Sequence, residues 1–189
     1  MANNFFITHD AGNLNEYDAT VTAGAGSTSA SVASAMNGTA YGMQATVTGA
    51  GDEAYSYLNF TPFSGTQYEV SFYFDKQTYS GGSGDITIFR IRKPAYGLNT
   101  STILIELNVS GSIVVRIRDD SGSLQSTGAL ALGSGAKFIQ MIVTKASSAI
   151  ANDGILEVKI DGSTVATLNT LDLYTTYSPV IVTGKQSFG

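Results

Sequence analysis

Gly154-Ile-Leu-Glu-Val-Lys-Ile-Asp-Gly-Ser-Thr-Val-Ala-Thr-Leu168 is the stretch that decides the fold. Leu156, Val158 and Ile160 alternate with Glu157 and Lys159, the period-two pattern of a strand with one buried face. Asp161-Gly162 follows. It is the strongest short hairpin signal, because a type I′ turn needs φ > 0 at both central residues. With those two residues as the loop, Ile160 faces Ser163 and Val158 faces Val165.

The same alternation recurs outward from this hairpin. Lys137 to Thr144 precedes it and is apolar on both faces: Phe138 and Ile142 on one, Ile139, Met141 and Val143 on the other. Gln67 to Phe74 places Tyr68, Val70, Phe72 and Phe74 on one face and Gln67, Glu69, Ser71 and Tyr73 on the other. Ile86 to Arg92, Tyr41 to Val47 and Tyr55 to Thr61 are further strands, and Pro62 ends the last by lacking a ladder donor. Phe5 to Ile7 reads as a short opening strand. Thr20 to Val32 reads as two short strands around a Gly-Ala-Gly turn, Leu124 to Leu132 as a weaker strand, and Pro179 to Thr183 as the closing strand.

Ile103, Ile105, Leu107 and Val109 are apolar at odd positions, and so are Ile113, Val115 and Ile117. Residues directly opposite each other share a face, so the connecting loop must keep odd opposite odd. A three-residue loop, Ser110-Gly111-Ser112, does so and sets Glu106 directly opposite Arg116. No segment of ten or more residues holds a helical apolar period. The expectation is an all-β fold, a two-sheet antiparallel β-sandwich or jelly roll of about a dozen strands, in one domain over residues 1–189.

Composition narrows function. The chain carries 10 Lys and Arg against 15 Asp and Glu, a net charge of −5. Nucleic acid and anionic membranes are bound mainly through clustered cations, so neither is an expected partner. The absence of Cys excludes disulfides and thiolate chemistry. No apolar run reaches the roughly 18 residues of a membrane span. The first ten residues lack a basic stretch followed by a long apolar one, so they do not read as a secretion signal.

The segment Lys137 to Asn169 resembles the C-terminal half of laminin-G-like and concanavalin A-like lectin domains. In those, a strand opening with an aromatic leads through a loop into a hairpin turning at Asp-Gly, here Leu156 to Val165. Asp10-Ala-Gly-Asn-Leu14-Asn-Glu-Tyr17 is similar to an early acidic-x-Gly-x-Leu-x-x-Trp motif, with Tyr in place of Trp, and Gly42 to Val47 to a strand of the same modules. The resemblance implies two packed sheets, one of them concave. It also implies a structural calcium held by an early acidic residue and a late Asp. Asp10 fits the first, but Ser178 to Gly184 offers no Asp, and no metal or cofactor is expected.

Candidate sites follow from residue chemistry. Glycoside hydrolases need two carboxylates flanking the scissile bond. No Glu-x-Asp-x-Glu pattern occurs, and Glu106 and Glu157 each stand alone on their strands, so the chain is not expected to be an enzyme. His9 reads as a surface residue. All four arginines, Arg90, Arg92, Arg116 and Arg118, lie on two strands. They suit either an anion or sugar-acid contact or an ion-pair array with Glu106, Asp119 and Asp120. Tyr79 and Tyr96, in loops rich in Gly, Ser and Asn, are placed to stack on a sugar ring, and with Arg92 they are the expected ligand contacts. Two apolar faces on one strand call for a cover on the outer one, so Ile139, Met141 and Val143 are the expected interface. The chain is therefore expected to be a non-enzymatic structural or decoration protein on a virion or particle surface, a homo-oligomer or docked on a capsid. The alternative is an extracellular carbohydrate-binding lectin module that takes glycans.

Overall fold

A computed structural model describes residues 19–31, 40–46, 53–60, 65–76, 85–92, 101–174 and 184–188. Its strands are β1 (Ala19–Ala23), β2 (Ser27–Ser31), β3 (Gly42–Thr46), β4 (Glu53–Phe60), β5 (Gln67–Phe74), β6 (Ile86–Arg92) and β7 (Ser101–Leu107). They continue with β8 (Ser112–Arg118), β9 (Leu124–Ser126), β10 (Leu130–Ala131), β11 (Lys137–Thr144), β12 (Gly154–Ile160), β13 (Ser163–Leu171) and β14 (Gly184–Phe188). No helix occurs among the described residues. An eight-stranded sheet runs β1-β4-β14-β6-β7-β8-β10, with β9 also on β8. A four-stranded sheet runs β13-β12-β11-β5, and β2 and β3 form a small third sheet.

The fold is the expected antiparallel β-sandwich. Phe89, Ile91, Ile103, Ile105, Ile113, Val115 and Ile117 of the large sheet pack in one buried core with Val70, Ile139, Met141, Val143, Leu156 and Val158 of the small one. The Phe72 and Phe89 rings stack across the gap, centroids 5.4 Å apart. Burial of each such side chain stabilises by about 1.5–3 kcal/mol, so the odd-numbered stripes of β7 and β8 supply much of the cohesion.

This arrangement corrects the interface expectation. Ile139, Met141 and Val143 are 0–2% exposed. They stand opposite Phe72, Val70 and Tyr68 on β5 and Ile160, Val158 and Leu156 on β12. All nine positions are apolar or aromatic, and the block they form can only face the other sheet. The outer face of β11 is Phe138, Gln140 and Ile142. Phe138 rests on Tyr73, ring centroids 4.8 Å apart, and Gln140 Nε2 donates to Glu69 Oε1 at 3.1 Å. The second apolar face is thus shared with polar neighbours within its own sheet.

The organising hairpin turns where expected. Asp161 has φ 51° and Gly162 φ 79°, and Ile160 pairs with Ser163. One pair further on, the ladder shifts. Lys159 still pairs with Thr164, but Val158 pairs with Ala166, not Val165. The extra residue, Val165, is left 42% exposed, as a bulge requires. A second shift falls between Gly154 and Leu156, beside Thr170 at φ 62°. The Asp161 side chain clasps the turn to the start of β11. Its carboxylate accepts the Phe138 N–H and the Lys137 ammonium, both at 2.9 Å. The Phe138 backbone bond and then Lys137 hold its pKa below the ordinary 3.8. A depressed carboxyl stabilises the fold above its unfolded pKa and loses that contribution as pH falls through the folded one. Denaturant midpoints at neutral and at about pH 3 should therefore fall less on acidification in Asp161→Asn than in the parent; an equal fall would refute the clasp.

Two loops of one design bracket β8. In Asn108-Val-Ser-Gly-Ser112 the Asn108 side-chain oxygen accepts the N–H groups of Ser110 and Ser112. In Asp119-Asp-Ser-Gly-Ser123 the Asp119 carboxylate accepts the Ser121 hydroxyl and the Ser123 N–H. In each, the glycine takes positive φ, 76° at Gly111 and 87° at Gly122, and donates back to the first residue's carbonyl. The first loop is therefore Val109-Ser110-Gly111, one residue earlier than expected. Leu107 pairs with Ile113, and Glu106 stands opposite Val114 while Arg116 stands opposite Leu104. Odd still faces odd, so the apolar stripe is unharmed. The direct Glu106–Arg116 pairing is not formed; the two are diagonal neighbours.

The two strands read in Thr20–Val32 are present, but β1 pairs with β4 and β2 with β3. The weak strand at Leu124–Leu132 is split into β9 and β10. A last strand is found at Gly184–Phe188, between β4 and β6; Pro179–Thr183 and Phe5–Ile7 lie outside the described residues.

Candidate functional site

The outer face of the large sheet carries Arg90, Arg116 and Arg118. The β6–β7 ladder shifts between Thr87 and Phe89 and again between Ile91 and Arg92. Between those shifts Arg90 pairs with Leu104, which pairs with Arg116 on β8, so the three form a row across three strands, continued on β9 by Ser126. All four side chains lie on the face away from the core. Thr87, Glu106 and Val114 make the adjacent row. Arg116 Nε donates to Glu106 Oε2 at 2.6 Å, with the two side chains 36% and 21% exposed. Arg118 donates through Nη1 to the Gly122 carbonyl of the neighbouring turn. The pair with Glu106 uses one of five donors on the Arg116 guanidinium. Such a fork binds carboxylate bidentately, which a lysine cannot do.

A second polar concavity, of about 330 Å³, opens at one end of the sandwich between Asp119, Gln125, Asn152, Asn169 and Asp172. Asp120 N–H donates to the Asp172 carbonyl at 2.8 Å, holding the β8–β9 turn against the end of β13. Burial pushes the Asp119 carboxyl up, but hydrogen bonds from Ser121, Gln125 and the Ser123 backbone outweigh this and leave it below its ordinary value. Asp172 is shifted the other way, by loss of water and by the charges of Asp120 and Asp119. Among the described residues no group of three or more His, Cys, Asp or Glu is placed to hold a metal.

Of the ligand contacts expected from sequence, Tyr79 and Tyr96 lie outside the described residues, as do His9 and Asp10. Arg92 is described in its backbone only, opposite Ser101 and Lys185. The ion-pair reading of the arginines holds for Arg116 with Glu106, through a diagonal rather than a direct pairing. Sequence reasoning missed the exposed Tyr73–Phe138 ring pair on the small sheet, although the alternation in Gln67–Phe74 already pointed Tyr73 outward.

One likeness spans nearly the whole chain. It is to the endo-β-1,4-glucuronan lyase from the fungus Trichoderma reesei, with a TM-score of 0.65 and 13% identity over 94% of this chain and 80% of that one. At this identity the likeness is one of fold. The alginate lyase Aly36B (TM-score 0.38, 11% identity, 72% of this chain and 63% of that one) and the receptor-binding domain of botulinum neurotoxin type G (TM-score 0.38, 16% identity, 71% and 34%) are more distant. No protein-family model matches the sequence, and no curated protein does.

The expectation that the chain is not an enzyme is corrected by this finding. It rested on the missing carboxylate pair of a glycoside hydrolase. A solved structure that shares the fold over most of both chains is a lyase, and a lyase does not depend on that pair.

Proposed function

We propose that this chain is a polysaccharide-binding β-sandwich whose large sheet presents an arginine face to carboxylated sugars. The observation that carries the reading is the row of Arg90 and Arg116 on the outward side of three neighbouring strands. In a chain of net charge −5, Arg90, Arg116 and Arg118 give this face local cations against the global charge. Half-buried Leu104 between them and Val114 in the adjacent row offer apolar contact to sugar ring faces. The sandwich likeness supports this carbohydrate reading more than a place on a particle surface or capsid, for which no feature of the face argues.

Binding is tested with glucuronan and alginate by titration calorimetry on the parent, Arg90→Ala and Arg116→Ala. Loss of one charge-assisted contact costs about 1.5–3 kcal/mol, roughly ten- to hundredfold in affinity. Neutral glucan should not bind this face. Equal affinity for glucan and glucuronan, or unchanged affinity in both variants, would refute the reading. The same mixtures, followed by ultraviolet absorbance for unsaturated sugar ends, report elimination. That reaction needs a base beside the guanidinium that neutralises the carboxylate.

A further inference from the structure

We infer that the bound polysaccharide runs across the strands, along the Arg90–Leu104–Arg116 row, and is read at every second sugar. The inference rests on the function proposed above and deepens it. Neighbouring strands are about 4.8 Å apart, so Arg90 and Arg116, two strands apart, start about 9.6 Å from each other. Along β8, Arg116 and Arg118 start only about 6.8 Å apart. In an extended 1,4-linked uronan, successive carboxylates point to opposite sides and alternate ones to the same side. The same-side repeat is therefore two pyranose rings, which fits the cross-strand separation and overshoots the one along the strand.

Three features of the face favour this direction. Leu104 sits midway in the row and gives the intervening ring an apolar seat instead of a third charge. Glu106 occupies the adjacent row, where its carboxylate repels a uronate that strays from the arginines. It also grips Arg116 through Nε, leaving the guanidinium's two Nη groups as the edge that meets ligand. Glu106 is thus a positioning residue.

The test uses 1,4-linked oligoglucuronates of two, three and four sugars, titrated into the folded chain. Three sugars are the shortest length that reaches both anchors. The trimer should bind about ten- to hundredfold tighter than the dimer, the worth of one added charge-assisted contact, and the tetramer little tighter than the trimer. Arg90→Ala should erase the trimer's advantage while leaving dimer affinity within a fewfold. Because Arg116→Ala strands Glu106, it is measured together with the Glu106→Gln/Arg116→Ala double variant, and circular dichroism checks that all fold. A dimer as tight as the trimer, in a protein whose arginine variants still lose binding, would overturn the cross-strand path and keep the arginine face. Absence of binding to every length would overturn both.

Discussion

Met141→Glu is expected to unfold the chain rather than to uncover a surface. Met141 is 1% exposed and stands between Val70 and Val158, inside the block of apolar side chains that faces the large sheet. Its immediate neighbours, Val70 and Val158 across the ladder and Ile139 and Val143 along the strand, offer a carboxylate neither cation nor donor. Leaving a charge buried and unpaired costs roughly 3–5 kcal/mol or more, a large part of the 5–15 kcal/mol that typically separates folded from unfolded chains. Protonation lowers the penalty but leaves a carboxyl without hydrogen-bond partners. Ile142→Lys is the control, since Ile142 lies on the outward side of the same strand, between Glu69 and Glu157. It should retain the parent's β spectrum in circular dichroism and most of its denaturant midpoint. A folded Met141→Glu with an unchanged midpoint would mean that β11 is turned the other way round.

Phe89→Ala should be the most costly truncation in the large sheet. The ring is fully buried and stacked on Phe72 of the opposite sheet at 5.4 Å with an interplanar angle of 22°. It therefore joins β6 to β5 across the sandwich, where backbone hydrogen bonds cannot. Phe→Ala in a close-packed core costs about 3–5 kcal/mol, because the lost transfer energy is joined by the cavity left behind. The denaturant midpoint should fall with little change in slope, and Phe89→Leu should recover part of the loss. A fall under about 1 kcal/mol would show that Phe72 collapses into the vacated space, and that the two sheets are held elsewhere.

Much of the fold could be read because alternation and turn chemistry are local. Asp161-Gly162 fixed its turn, and the strands at Gln67–Phe74, Ile86–Arg92 and Lys137–Thr144 begin and end where the alternation does. The errors arose where a backbone detail is silent in the pattern. The bulge that frees Val165 inserts one residue into Ser163-Thr-Val-Ala-Thr167, a run in which no apolar period reveals it. The β7–β8 register slipped by two because parity alone cannot separate loops 109–111 and 110–112. Glycine could have separated them: a three-residue hairpin loop wants its left-handed residue last, and that places Gly111 at the end. For β11 both faces were apolar, and only its partners on β5 and β12 decide which one is core. The arginine row was half legible. Membership of two strands followed from sequence, but the lateral alignment of Arg90 with Arg116 passes through β7 and needs two registers at once.

The two borders of the four-stranded sheet are unequal. β13 is interrupted by two register shifts, while β5 runs unbroken for eight residues and is the last strand on its side among the described residues. Bulges turn a border away from further pairing, and a straight border invites it. Accretion of strands from outside is therefore one-sided. If a second copy adds through β5 about a twofold axis, the merged sheet shows an irregular β13 at both ends and has nowhere left to grow. Open-ended stacking of the amyloid kind requires a straight border at each end of every repeat. With one such border among its described strands, this sheet terminates its own polymerisation at the pair.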